Sequence, residues 1–141
     1  MRIIFLFMLL LLRMLSFSAT SSAGVDLNKI MIIESSGNPL AYNVTSGAIG
    51  LFQITPICLK EWNNYHKTQQ YKSKDLYSAE INTKIAKWYL NKRIPQMLKY
   101  FKKEVSLENI LISYNAGINY VVTGKKLPKE TRKYIIKYKS M

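Results

Sequence analysis

Apolar and polar positions divide the chain into one unbroken apolar block followed by short periodic segments. Ile3 to Leu12 is an uninterrupted apolar run of ten residues, about half of the roughly 20 that a membrane-spanning helix needs. Arg2 precedes it and a small, polar stretch ending Ser21-Ser22-Ala23 follows, the layout of a secretory signal peptide over residues 1–23 with cleavage after Ala23. Arg13 lies where the apolar core would fade, so an uncleaved amino-terminal anchor stays open.

Beyond that block the spacing predicts helices. Asp26 can cap a helix carrying Leu27, Ile30, Met31 and Ile33, which Ser-Ser-Gly-Asn-Pro at 35–39 stops near Glu34. Residues 36–50 hold three glycines and Pro39 among Tyr42, Val44, Thr45 and Ile49, a pattern for a loop or small hairpin and the place where a cleft would be built. Thr55-Pro56 opens a second helix through Leu59 and Trp62, with proline where its missing N–H is harmless. Residues 63–77 read as a surface excursion. Ser78 caps a helix with Ile81, Ile85, Trp88 and Tyr89 at helical spacing, broken or kinked at Pro95. Ser106 caps the next, in which Leu107, Ile110, Leu111 and Tyr114 share a face and Gly117 ends it. A last helical pattern runs from Pro128 to Tyr138. The expected fold class is mostly α, with an irregular segment at a cleft.

Composition narrows the chemistry. The 141 residues, 48% hydrophobic, suffice for one domain with a core and are too few for two. One cysteine, Cys58, and one histidine, His66, rule out an intrachain disulfide and a Cys/His zinc site. No metal or cofactor is expected. The net charge is +13, and losing Arg2 and Arg13 with the leader lowers it only to +11. Such a surface suits polyanionic surroundings. Export without disulfides suits a bacterial periplasm or cell wall.

Glu34 is the first candidate for chemistry. It falls in the last turn of its helix, where the macrodipole disfavours a negative charge, directly after Met31, Ile32 and Ile33. Both influences raise a carboxyl pKa, as a general acid near neutral pH requires. A solvated glutamate at a helix end is the plainer alternative.

Four segments in order resemble a known family. Glu34-Ser35 is followed by Gly50-Leu51-Phe52-Gln53, then Ser113-Tyr114-Asn115-Ala116-Gly117, then Leu127-Pro128-Lys129-Glu130-Thr131-Arg132-Lys133-Tyr134. Together, over about residues 25–138, they resemble the lytic transglycosylases with a goose-type lysozyme-like catalytic domain, here expected over residues 24–141. The resemblance implies a helical, lysozyme-like fold and cleavage of the β-1,4 bond between N-acetylmuramic acid and N-acetylglucosamine in peptidoglycan. It implies Glu34 as sole catalytic carboxylate, first acid and then base toward the C6 hydroxyl, leaving a 1,6-anhydro end. Ser35, Gly50, Gln53, Tyr114, Asn115 and Tyr134 become the substrate-binding candidates. Gly50 would let the backbone approach the glycan, and Glu130 would hold the last helix. Phe52 stands for the usual methionine and Ser113 for the usual alanine, which leaves the subsites open.

The stretch from Ser35 to Lys60 contains no Asp or Glu, whereas a two-carboxylate glycosidase needs a partner within several ångströms. Glu61, Asp75 or Glu80 could still fold back toward the cleft. A lysozyme-type hydrolase and a non-catalytic glycan-binding assembly protein are therefore the alternatives. Lysine-rich stretches interleaved with tyrosines raise a nucleic-acid or membrane-active protein, but the export signal argues against nucleic acid. Cys58 is assigned to packing and His66 to the surface. The expected partners are peptidoglycan strands and, by analogy with short members of the family, components of a secretion, conjugation, pilus or phage apparatus. A membrane would be met only through an uncleaved leader, and the chain is expected to be a monomer.

Overall fold

Asp26 opens the first helix, its carboxylate accepting from the N–H groups of Asn28 and Lys29, a cap that stabilises a helix by about 1 kcal/mol. The computed structural model describes residues 24–141, and the expected leader and its cleavage site lie outside the described residues. Helix α1 spans Leu27–Ser35 and ends at Ser36, which takes the left-handed conformation at φ 53°. The fully buried Ile30 anchors α1 to the core.

The next segment forms no strand ladder. Ile49 makes isolated antiparallel bridges to Tyr42 and Ile54, so the loop alternative applies and the small hairpin does not. Two or three cross-strand pairs fail to accumulate because Gly50 at φ 82° and Gln53 at φ 50° turn the chain back immediately.

Helix α2, Pro56–Tyr65, begins at Thr55, whose hydroxyl accepts from Cys58 N–H. The expected surface excursion after it is pinned down. Trp62 Nε1 donates to Gln69 O at 2.9 Å, Asn63 exchanges two hydrogen bonds with the Tyr71 backbone, and a 3₁₀ turn at Ser73–Tyr77 sinks Leu76 into the core. His66, expected at the surface, stacks on Trp62 with ring centroids 3.8 Å apart.

Ser78 caps α3, Ala79–Trp88, as expected. The helix neither breaks nor stops near Pro95. It widens into a π turn over Tyr89–Arg93 and continues as α4, Ile94–Tyr100. Proline thus falls in the first turn of a new α segment, where its lack of an N–H is tolerated. Helix α5, Leu107–Asn115, starts at Ser106, buries Ile110 through Ser113, and is followed by Gly117 at φ 98°. A short α6, Asn119–Thr123, was not legible, since its five residues include two valines and a threonine, poor helix formers. Helix α7, Lys129–Ser140, buries Thr131, Tyr134, Ile135 and Tyr138 at the spacing of one helix face.

Fully buried Ile30, Ile85, Leu90, Ile94, Leu98 and Leu111 join α1, the α3–α4 rod and α5 into one core. Each such side chain contributes about 2 kcal/mol through removal from water. Helix α7 closes over α1 and α5, and Tyr138 Oη accepts from Asp26 N–H at 2.7 Å, tying the two ends of the domain. The fold is mostly helical, as the pattern predicts. Among the described residues, no helix is long and apolar enough to cross a membrane.

Candidate active site

The end of α1, the turn at 50–53, the π turn, the end of α5 and the start of α7 surround an open cleft of about 530 Å³. Glu34, Gln53, Tyr114 and Asn115 all line it, although they are spread over eighty residues of chain. Ser35, Gly50 and Tyr134 are not part of its lining, and the structure gives each a different task.

Glu34 sits half-buried in the last turn of α1. Burial pushes its carboxyl from the ordinary 4.5 up to about 7; the Tyr134 hydroxyl, donating to Oε1 at 2.9 Å, opposes that rise, and the negative charge of Glu130 adds to it. The proton is therefore exchangeable near neutral pH. Tyr134 is buried rather than lining the cleft, and its phenol is pushed well above its usual range by burial and by the Glu34 charge. It acts on the site by fixing one oxygen of Glu34.

Ser35 donates to Met31 O at 3.3 Å and to Leu51 O at 2.8 Å. Its hydroxyl thus joins α1 to the turn at 50–53. Gly50 corrects the expectation of an opening toward glycan. A Cβ there would lie 2.3 Å from Asn82 Nδ2 and 2.6 Å from Leu76 O, so the close approach that requires glycine is internal.

Asn82 was missed in the sequence. Wholly buried in α3, it donates from Nδ2 to Ile49 O at 2.8 Å and Leu76 O at 2.9 Å, and accepts from Phe52 N–H at 2.9 Å. Tyr114 Oη donates to Phe52 O at 2.7 Å. Both backbone groups of Phe52 are thus held by side chains from distant helices, which fixes the turn that presents Gln53. A lone amide on the buried face of α3, beside Ile85 and Ala86, was the only available signal. Phe52 itself is core.

Gln53 donates from Nε2 to Gly50 O at 3.1 Å and, more weakly, to Ala41 O at 3.4 Å. Its amide carbonyl is left for the cleft. Asn115 ends α5 half-buried, with no side-chain hydrogen bond among the described residues. Tyr114 serves both readings weighed for it: its ring borders the cleft while its hydroxyl is held inside.

Two further cleft residues were not expected. Glu130, assigned to holding the last helix, instead lines the cleft, exposed in the first turn of α7, and forms no ion pair or side-chain hydrogen bond among the described residues. Tyr89, counted with the apolar face, also lines the cleft. Cys58 is buried as expected and also borders the cleft; burial holds its thiol far above the usual range, so it is inert. The other acids considered are engaged elsewhere. Glu61 pairs with Arg93 at 2.6 Å and Asp75 accepts from Lys72 N–H at 2.7 Å, while Glu80 edges a separate groove. Among the described residues no group of three or more His, Cys, Asp or Glu is arranged to hold a metal.

Comparison with curated proteins gave no match, and comparison with solved structures gave none. The family model described as the transglycosylase SLT domain matches residues 16–137, most of the chain and all of the segments that build the cleft. On that match, the chain belongs to the transglycosylase SLT domain family, the lytic transglycosylases of peptidoglycan.

Proposed function

We propose that Glu34 is the single acid and base of a non-hydrolytic cleavage of the β-1,4 bond between N-acetylmuramic acid and N-acetylglucosamine. The observation that carries this reading is a half-buried carboxyl in a cleft, raised to about 7 and held through one oxygen by Tyr134. A group poised near the working pH both donates and recovers a proton efficiently.

The protonated carboxyl, positioned by the Tyr134 bond to Oε1, gives its proton to the glycosidic oxygen as the C1–O4 bond breaks. The carboxylate then takes the proton of the muramoyl C6 hydroxyl as O6 bonds to C1. Glu34 ends as it began, the product carries a 1,6-anhydro ring, and no water is consumed. The 2-acetamido group of the sugar stabilises C1 between the two steps, and the amides of Gln53 and Asn115 are available to orient it.

Export by residues 1–23 and action in a periplasm or cell wall belong to the same proposal and rest on the apolar leader. A role in opening the wall locally for a secretion, conjugation, pilus or phage apparatus rests on the resemblance to short members of the family.

The test is a digest of purified peptidoglycan with products identified by mass, and Glu34→Gln run in parallel. Anhydro-muramoyl ends, one water lighter than reducing ends and absent with the Gln variant, are the expected result. Glu130 in the cleft favours one second reading, a lysozyme-type hydrolase in which it activates water. Reducing-end products lost in Glu130→Gln would establish that reading instead.

A further inference from the structure

Two tyrosines, Tyr89 and Tyr114, line the cleft and another, Tyr134, is buried against Glu34; two of the three have their hydroxyls engaged inside the protein. Tyr134 donates to Glu34 and Tyr114 to Phe52 O. The third, Tyr89, lines the cleft half-buried, and its hydroxyl has no partner among the described residues. It is also not a buried orphan: the buried side-chain polar atom left unpartnered is Trp88 Nε1. A phenol that is neither partnered nor sealed off keeps contact with water, and its residue lines the cavity.

The backbone places it there through a specific departure from the α-helix. The fully buried Ala86, Leu90, Ile94 and Leu98 follow one another at four-residue steps. Tyr89 begins the π turn that interrupts the α-helix within this series, a feature that often marks functional sites. Tyr89 stays half-buried against the core while its neighbour Leu90 is wholly buried. The Arg93–Glu61 pair at 2.6 Å ties the far end of the turn to α2. Tyr89 and Tyr114 have ring centroids 6.2 Å apart, and the Tyr114 phenol feels the charge of Glu34. Tyr89 thus adjoins a ring that lies within electrostatic reach of the carboxyl.

We propose that Tyr89 is a substrate-binding residue whose hydroxyl donates to an acceptor oxygen of the glycan strand, on the side of Tyr114 away from Glu34. The identity of the ligand rests on the transglycosylase reading above. Amide carbonyls and hydroxyls of N-acetylated sugars supply such acceptors, and Tyr89 lines the same cleft as the amides of Gln53 and Asn115. Burial pushes the phenol well above its usual range, with smaller contributions from Cys58 and Glu61, so it stays a donor throughout the working pH.

Tyr89→Phe isolates the hydroxyl, because it keeps the ring and removes no bond within the protein. The experiment measures calorimetric Kd for soluble, uncrosslinked peptidoglycan strands with Glu34→Gln and with Glu34→Gln/Tyr89→Phe, together with Tm of both. Weakening of about three- to tenfold at unchanged Tm is expected, the range that one neutral hydrogen bond supplies. Equal affinities overturn the proposal, as does a fall in Tm without a change in Kd, which would make Tyr89 structural. Binding by neither protein overturns it too. In the protein with Glu34 intact, Tyr89→Phe is expected to raise KM by the same factor and to leave kcat within about twofold. Product masses that contradict the transglycosylase reading leave the Kd comparison still decisive for Tyr89.

Discussion

Glu34 is held between burial and the Glu130 charge, which favour its proton, and the Tyr134 hydrogen bond, which favours its release. Activity that needs the protonated acid declines as pH rises through about 7. Tyr134→Phe removes the bond that stabilises the carboxylate, so this decline moves to higher pH; Glu130→Gln removes a like charge, so it moves lower. The pH dependence of kcat/KM for both variants checks the opposite signs. Glu34→Gln should lower kcat at least about a hundredfold, the ordinary contribution of a general acid. The same residue makes a stability prediction. Its folded pKa is raised above 4.5, so its contribution is fully present below pH 4.5 and is lost as pH rises through about 7. Between those limits the folded state binds the proton and the unfolded chain does not. Glu34→Gln escapes this loss, so urea unfolding at pH 4 and pH 8.5 should show the variant gaining on the parent by at most about 3 kcal/mol.

The turn at 50–53 is a small element without a ladder, and side chains of three helices keep it in place. Ser35 of α1 takes Leu51 O, Asn82 of α3 takes Phe52 N–H and Ile49 O, and Tyr114 of α5 takes Phe52 O. Truncating Asn82 takes the partner from Phe52 N–H and from Leu76 O in the interior and leaves Ile49 O with the Ile54 N–H alone. Asn82→Ala is therefore expected to destabilise by about 3 kcal/mol, read by denaturant unfolding, with activity falling at temperatures where the fold persists. Gly50→Ala combines strain at φ 82° with contact against Leu76 O and Asn82, and should cost about as much or more. The π turn is the second decisive element. It carries the α3–α4 rod past Pro95, with Tyr89 at the cleft and the buried series from Ala86 to Leu98 unbroken.

Across the whole molecule positive charge is in excess, and the cleft is the exception. The chain carries +13, yet the carboxyl groups Glu34 and Glu130 line the cleft and no Lys or Arg does so among the described residues. Helix α7 shows the separation within one element: Thr131, Tyr134, Ile135 and Tyr138 face the core, and Lys129, Arg132, Lys133 and Lys137 are exposed. That basic face would hold the protein on an anionic wall, an interaction screened beyond about 8 Å at physiological salt. Adsorption to purified walls, measured by co-sedimentation, should fall steeply with added salt. Lys133→Glu/Lys137→Glu should weaken it further while leaving turnover of soluble glycan strands unchanged.

Caps and periodicities were legible because they depend on neighbours within a few residues. Asp26, Thr55, Ser78 and Ser106 begin helices where a local side chain can reach the first free N–H groups, and short contiguous segments carried Glu34, Gln53, Tyr114 and Asn115. Those same rules failed at Pro95, where a π turn absorbed the break, and at α6, whose residues favour no helix by themselves. The cleft had no such local signature. Asn82 meets Phe52 across thirty residues and Tyr134 meets Glu34 across a hundred. The tasks of Ser35 and Gly50, the entry of Glu130 and Tyr89 into the cleft, and the proton affinity of Glu34 all follow from such meetings. Residue types and local geometry are properties of the chain, whereas desolvation and long-range hydrogen bonds exist only once distant segments are packed together.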